Sequence, residues 1–384
     1  MVPAPVPPRQ SLPGLPPPGI AAPAPAPAVS GSTKVALLVP LSGANAELGR
    51  AILDAAQLAL FEVPGERLIL VPRDTAGTAD GAAKAARAVI DDGAKLILGP
   101  LLATEVQAVK PLARDAHLNI IAFSTVTELA GGNTFLMGFL PRQEVVREVG
   151  HARDRGFARF AALAPNSPYG RLMADALREF VSASGATVSR VEFYDPRADD
   201  TAPAVQRLLP EASPSATPAP AAAGAPLFDA LLLPEGGARL KQIARQIREA
   251  SPRGKPLQLL GSGLWDVPDL GSEPALVGGW FAASPPELRR SFEQRFQATY
   301  GRAPPRLASL GYDAAALAAV LAQGEGEPFS QQAILRPNGF TGVDGLFRFT
   351  PGGLVQRGLA VLEVEPEGDV VVSPAPRSFQ DLAY

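Results

Sequence analysis

Apolar residues along this chain return in two rhythms that take turns. Short unbroken runs at residues 34–39, 68–71, 96–98 and 118–123 have the length and flanks of strands buried on both faces. Between them, apolar positions recur at helical spacing: Leu48, Ile52, Ala56 and Ala59, then Ala82, Ala85, Val89 and Ile90, then Val106, Val109, Leu112 and Ala113. In the third helix Thr104, with Gln107 three residues on, has the form of a capping box, and Pro111 predicts a kink. Strand and helix alternating through short loops predict an α/β protein with parallel sheets.

A second series of the same kind opens near residue 142. Helices are expected at 143–155, 173–184 and 238–250, and strands at 160–163, 187–194, 228–233, 257–260 and 277–282. Helix 238–250 carries a row of Arg and Lys that reads as a solvated face. Two apolar helices follow at 285–300, with Phe292 and Phe296 inward, and at 310–321. Residues 340–349 and 359–364 read as a terminal antiparallel pair.

Two stretches keep neither rhythm. Residues 1–29 hold eleven prolines and many alanines, the composition of an extended tether. Residues 211–226, EASPSATPAPAAAGAP, read as a disordered insertion.

The totals narrow the chemistry. Net charge is −3 from 35 basic and 38 acidic residues, so no basic excess points to nucleic acid or an anionic membrane surface. There is no cysteine, and with two histidines, His117 and His151, no metal site or cofactor is expected. No G-x-S-x-G elbow, phosphate-binding G-x-x-x-x-G-K, G-x-G-x-x-G or H-E-x-x-H occurs, and no catalytic residue is assigned. The chain is expected to be a non-enzyme. No apolar run is long enough to span a membrane. The start has neither the basic end nor the apolar core of a signal peptide. Membrane attachment is therefore expected only through an N-terminal anchor, a signal peptide with a lipidated Cys, removed before this sequence begins.

Open α/β sheets bind ligands beyond the carboxyl ends of their strands. Those ends here carry Ser42, the segment from Gly99 to Thr104, and the hydroxyls Ser124, Thr125 and Thr127.

The order of segments resembles the type I periplasmic-binding-protein fold, in the branch of the branched-chain amino-acid receptors. The resemblance rests on VALLVPLSGANAELGRAILDAAQLA, ILGPLLATEV, IIAFSTVTELA, NSPYG, GYDAAALAAVL and FTGVDGLFRFTPGGLVQRGLAVLEV, and spans residues 33–372. It implies two Rossmann-like lobes with parallel sheets joined by three crossover segments, near Leu140, Ala283 and Gly324. Lobe one would comprise residues 32–140 and 284–324, and lobe two residues 141–283 and 325–384, with residues 1–31 as tether and 212–226 as insertion.

Leu-Val-Pro-Leu-Ser-Gly, Gly99-Pro100-Leu101-Leu102 and Ala122-Phe123-Ser124-Thr125 look most like the lipoprotein activators of penicillin-binding proteins. That likeness implies a periplasmic protein, lipid-anchored to the outer membrane, which regulates peptidoglycan synthesis by contact with a bifunctional penicillin-binding protein. The long form of that family has a helical-repeat domain that this sequence does not supply. The alternative is the substrate-binding protein of an ABC transporter, delivering a branched-chain or related amino acid to a permease. Such receptors grip the ligand carboxylate with a hydroxyl and backbone amides after Gly99, and the ammonium with an acid from lobe two. Residue by residue, the first anchor falls on Ala103, which has no hydroxyl, with Leu101 and Thr104 beside it. Ser124, Thr125 and Thr127 match the second loop, Tyr169 a lobe-two aromatic and Glu235 the acid. Trp265 is placed against the ligand or over a hinge, with core packing as the alternative.

Overall fold

The computed structural model describes residues 32–62, 68–209, 227–251, 257–324 and 326–380. The expected tether and insertion lie outside these residues.

Strands β1 (Thr33–Val39), β2 (Leu68–Asp74), β3 (Leu96–Leu98), β4 (Asn119–Ala122) and β5 (Thr134–Leu136) form a wholly parallel sheet in the order β2-β1-β3-β4-β5. Helices α1 (Ala46–Glu62), α2 (Ala79–Asp91) and α3 (Ala103–Asp115) connect successive strands. The apolar stripes read from the sequence are the packed faces: Ile52, Ala56 and Ala59 of α1, Ala82, Ala85 and Val89 of α2, Val106, Val109 and Ala113 of α3. Removing that much apolar surface from water is the main force holding the layers together.

The chain then enters a second sheet through α4 (Pro141–Asp154). Strands β6 (Arg159–Pro165), β7 (Thr187–Tyr194), β8 (Ala230–Leu232), β9 (Gln258–Leu260) and β10 (Trp280–Ala283) run parallel, joined by α5 (Pro168–Ala183), α6 (Ala202–Leu208) and α7 (Gly237–Ala250). After β10 the chain returns to the first lobe as α8 (Pro286–Tyr300), α9 (Ala308–Gln323) and α10 (Gln331–Ile334). Helix α9 lies tight on α1 because Gly311 presents no side chain; a Cβ there would stand 2.2 Å from the Ile52 carbonyl oxygen.

The end of the chain departs from the sequence reading. Strands β11 (Phe340–Gly342), β12 (Gly345–Phe349) and β13 (Val355–Arg357) make a small antiparallel sheet of their own. Its Phe347, Phe349 and Val355 are buried in one cluster with Val35, Ile52 and Phe292 of the first lobe. Residues 340–357, assigned from the sequence to lobe two, thus pack in lobe one. Strand β14 (Ala360–Glu363) pairs with β10, not with 340–349, and β15 (Val370–Ser373) pairs with β14, both antiparallel. The third passage between sheets therefore falls at residues 358–359 and not at Gly324. The first and second fall at 138–140 and 284–285.

One local expectation also changes. Helix α3 starts at Ala103, so Thr104 lies inside it, and the reciprocal partner is Glu105, whose Oε2 accepts from the Leu102 N–H at 3.0 Å. Helix α3 continues through Pro111 to Asp115. On α7 the cations face solvent as expected, Arg245 and Arg248 being exposed, and they also make contacts: Arg245 pairs with Glu273, Arg248 donates to the Ala275 carbonyl at 3.0 Å, and Arg239 reaches the Ala198 carbonyl at 2.5 Å.

Candidate functional site

The carboxyl ends of the two sheets adjoin. Four residues separate β5 from α4, and in the first turn of α4 Glu144 accepts from the Gly263 N–H, just beyond β9, at 2.8 Å. Gly138, in the first passage, packs on the loop after β4; a Cβ there would lie 2.7 Å from both the Phe123 and Ser124 carbonyl oxygens.

On the first lobe the edge is a set of tied loops. Asp74, ending β2, accepts from Leu41 N at 2.8 Å, Ser42 N at 3.2 Å, Ala76 N at 2.7 Å and Ser42 Oγ at 2.6 Å. Burial would raise its pKa, but these donors outweigh it and hold the carboxyl below its ordinary value. Ser42 is exposed, and its hydroxyl proton is spent on Asp74. The buried Glu105 accepts from Thr75 Oγ1 at 2.5 Å as well as from Leu102 N, joining the loop after β2 to that after β3. The sharp turn between β3 and α3 needs Gly99, whose φ is +80° and whose added Cβ would fall 2.2 Å from the Leu38 carbonyl oxygen.

The expected contacts on this lobe divide. Leu101 is buried in the first core. Ala103 is half-buried and Thr104 exposed on the first turn of α3. Ser124 is buried, its Oγ accepting from Val126 N at 3.2 Å, while Thr125 and Thr127 are exposed. Among the described residues no hydrogen bond joins this group to the second lobe's expected contacts.

The second lobe holds the denser chemistry. Tyr169, half-buried at the start of α5, hydrogen-bonds the buried Ser262 beyond β9. Burial, then the neighbouring Glu144, pushes the tyrosine hydroxyl well up. Glu144 itself is pushed up to about 7, by burial first, against the pull of Gly263 N–H and Arg306 and with help from Asp266. One turn further along α4, Glu148 is fully buried. Its Oε1 accepts from Ala282 N at 2.8 Å, and its Oε2 has no partner among the described residues. Burial raises its pKa strongly. Glu235, after β8, accepts from the Tyr194 hydroxyl and from Gly236 N at 2.9 Å, so part of its capacity is used within the lobe.

Trp265 does not stand at a ligand edge or over a hinge. It is fully buried in the second core, its indole N–H donating to the Leu233 carbonyl at 3.2 Å. Gly261 and Gly279 line its slot; a Cβ on either would approach the ring to 2.2 and 2.7 Å.

Sequence reading missed Glu144 and Glu148. Their signal was present: with His151 they occupy positions i, i+4 and i+7 of one helix, beside the apolar Val145, Val149 and Ala152. Polar residues on a packed face mark a built polar site or a satisfied core group. His151 is buried and lies edge-on to Trp280 with ring centroids 4.7 Å apart, its Nε2 without a hydrogen-bond partner among the described residues.

A cavity of about 650 Å³ lies beside the second passage, lined among others by Asp266, Arg289, Gln294, Pro304 and Asp369. None of the expected ligand contacts borders it. Among the described residues no group of His, Asp and Glu could hold a metal ion, and no helix is long and apolar enough to cross a membrane.

Known proteins share this architecture. A substrate-binding protein of an ABC transporter from Sphaerobacter thermophilus superposes with a TM-score of 0.70 at 22% identity, over 92% of this chain and 100% of that one. A branched-chain amino acid ABC transporter periplasmic ligand-binding protein from Burkholderia xenovorans LB400 gives 0.69 at 20% identity, over 89% and 95%. The Leu/Ile/Val-binding protein BraC3 of Rhizobium johnstonii is 26% identical over 176 residues, 42% of this chain and 47% of that protein. The chain spans about half the length of the curated relatives it matches. The model of the periplasmic binding protein family matches residues 32–369, nearly all of the folded part, and the chain belongs to that family.

Proposed function

We propose that this protein is a solute receptor: it closes two lobes on a small amine-bearing molecule of the amino-acid type and presents it to an ABC permease. The observation that carries this reading is the acid and hydroxyl group at the second sheet's edge. Glu144, Tyr169, Ser262 and Glu235 stand together where a parallel sheet takes its ligand. A carboxylate there supplies charge-assisted hydrogen bonds to an ammonium, each worth about 1.5–3 kcal/mol. Family membership and the likeness to amino-acid receptors support it, as they support a periplasmic location. The reading contains no catalytic step.

A second reading keeps the regulation of cell-wall synthesis through contact with a bifunctional penicillin-binding protein, with a lipid anchor ahead of residue 1. One observation favours it: Ala103, at the position of the carboxylate anchor, offers no hydroxyl, and the Ser42 hydroxyl is committed to Asp74. Thermal unfolding against a panel of amino acids and small organic acids separates the two. A ligand at 100 times its dissociation constant adds about 2.7 kcal/mol of stability. An upward shift with one compound class establishes the receptor. A flat panel, with capture of a bifunctional peptidoglycan synthase on immobilised protein, establishes the regulator.

A further inference from the structure

The charge on the two sheet edges is lopsided. The loops leaving the carboxyl ends of the parallel strands carry Asp74, Glu128, Asp195, Asp199, Asp200, Glu235 and Asp269 against one cation, Arg197. This sets aside Asp266, which Arg289 and Arg306 pair, and Glu273, which Arg245 pairs. The surplus is six negative charges on these loops, whereas the whole chain carries −3. Glu144 and Glu148 stand behind these loops. The cation that acts on Glu144 is Arg306, and it already bridges Asp266 at 3.3 Å and Asp344 at 2.9 Å.

A receptor for a molecule with a net negative charge would need the opposite. The first lobe's edge offers no Lys or Arg to a ligand carboxylate on any of the loops after β1 to β5. In a cleft with low-dielectric walls such a surplus focuses the field and concentrates cations. One observation points to an unmet partner. Glu148 Oε2, fully buried and without a hydrogen bond among the described residues, lies within electrostatic reach of Tyr169 and Glu144. A buried carboxyl oxygen left bare is costly unless a polar partner arrives.

We infer that the solute of this receptor is an organic cation, an amino acid or amine bearing an ammonium or guanidinium group beyond any α-ammonium, held against the Glu144–Tyr169–Glu235 wall. The inference rests on the receptor reading and refines it. A neutral branched side chain would leave the acid surplus unanswered.

Matched ligands isolate the charge. Isothermal titration of the whole chain compares L-lysine with L-norleucine and L-arginine with L-citrulline, with L-leucine and benzoate alongside. The charged member of each pair is expected to bind more tightly by at least about tenfold, the factor of one charge-assisted contact. The gap narrows when ionic strength is raised from about 0.01 to about 0.15 M, because screening shortens from roughly 30 to 8 Å. Glu144→Gln and Glu235→Gln narrow it in the same way. Equal or tighter binding of norleucine and citrulline overturns the inference and leaves the receptor standing. So does binding of leucine or benzoate with no binding of lysine or arginine. Absence of heat with all six compounds overturns both readings. The comparison within each pair uses unaltered protein, so it does not depend on the variants folding.

Discussion

Arg357 donates through Nη2 to the Met137 carbonyl at 2.8 Å and so fastens the third passage between the lobes to the first. The same guanidinium lies over the rings of Phe139 and Phe347, at 4.9 and 5.6 Å. Gln143 completes the join, donating to the Val355 carbonyl and accepting from Arg357 N at 3.0 Å. Nearby, Asp313 accepts from Val343 N at 2.7 Å and Asp344 N at 3.4 Å. Burial, then the neighbouring Asp344, raises the Asp313 carboxyl. Burial would raise Asp344 too, but Arg306 and Arg357 hold it low.

Arg357→Ala removes the guanidinium from that buried set and leaves the two acids short of a cation. Breaking one member of a buried ion network costs about 3–5 kcal/mol. The midpoint of urea unfolding should fall accordingly. An unchanged midpoint would show that the network contributes nothing net.

Trp265 and Gly261 form a slot and its filling. Trp265→Ala should cost about 3–5 kcal/mol as a core cavity. Gly261→Ala should destabilise by about 1–3 kcal/mol or more through overpacking against the ring. Trp265 is sealed in the second core, so a ligand should leave its emission unchanged. This is read in a variant with Trp280→Phe, which removes the only other indole. A ligand-dependent shift there would return Trp265 to the binding site.

Glu144 gives the protein a pH signature. Below about pH 4.5, its ordinary value, the carboxyl is protonated in folded and unfolded chains alike. As pH rises toward 7 the unfolded chain loses this proton first, which favours unfolding. The wild type should therefore lose stability relative to Glu144→Gln across that window, and the difference should level off above it at about 3 kcal/mol. Denaturant titrations of both proteins from pH 4 to 8 would measure it (roughly the span over which a carboxyl shifted this far titrates). A constant difference would mean that Glu144 titrates as it does in water.

Tyr194 holds Glu235 by a hydroxyl that donates to a carboxylate. Tyr194→Phe should cost about 1–2 kcal/mol of stability, the worth of such a bond. Glu235→Gln should weaken ligand binding more than Tyr194→Phe does, as read by titration calorimetry. The reverse order would make Glu235 a partner of the tyrosine alone.

Much of the first sheet was legible because its strands are short, buried on both faces and closed by Gly, Pro or hydroxyl residues, as at Leu96–Leu98 and Gly99. The third passage was not. Residues 340–349 alternate like any antiparallel strand, and nothing local states that Phe347 and Phe349 pack on the distant Phe292 cluster. The site was legible by place more than by residue. Strand ends pointed to Ser42 and Ser124, and the family resemblance to Tyr169 and Glu235. Glu144 and Glu148 sit inside a helix whose mean character is polar, so their inward direction emerged only with the packing of α4 on β10. Trp265 stayed ambiguous because an aromatic beside Gly-Ser-Gly reads as a loop anchor, whereas Gly261 and the distant Gly279 make room for its ring in the core.

Three straps of two or three residues join the lobes, and Arg357, Gln143 and Arg306 bind the straps to one another; Arg306 donates to Ser284 of the second at 3.2 Å. In the receptor reading these three neighbouring straps would act as one spine: the solute would set how far the two lobes close, and the straps the line about which they turn.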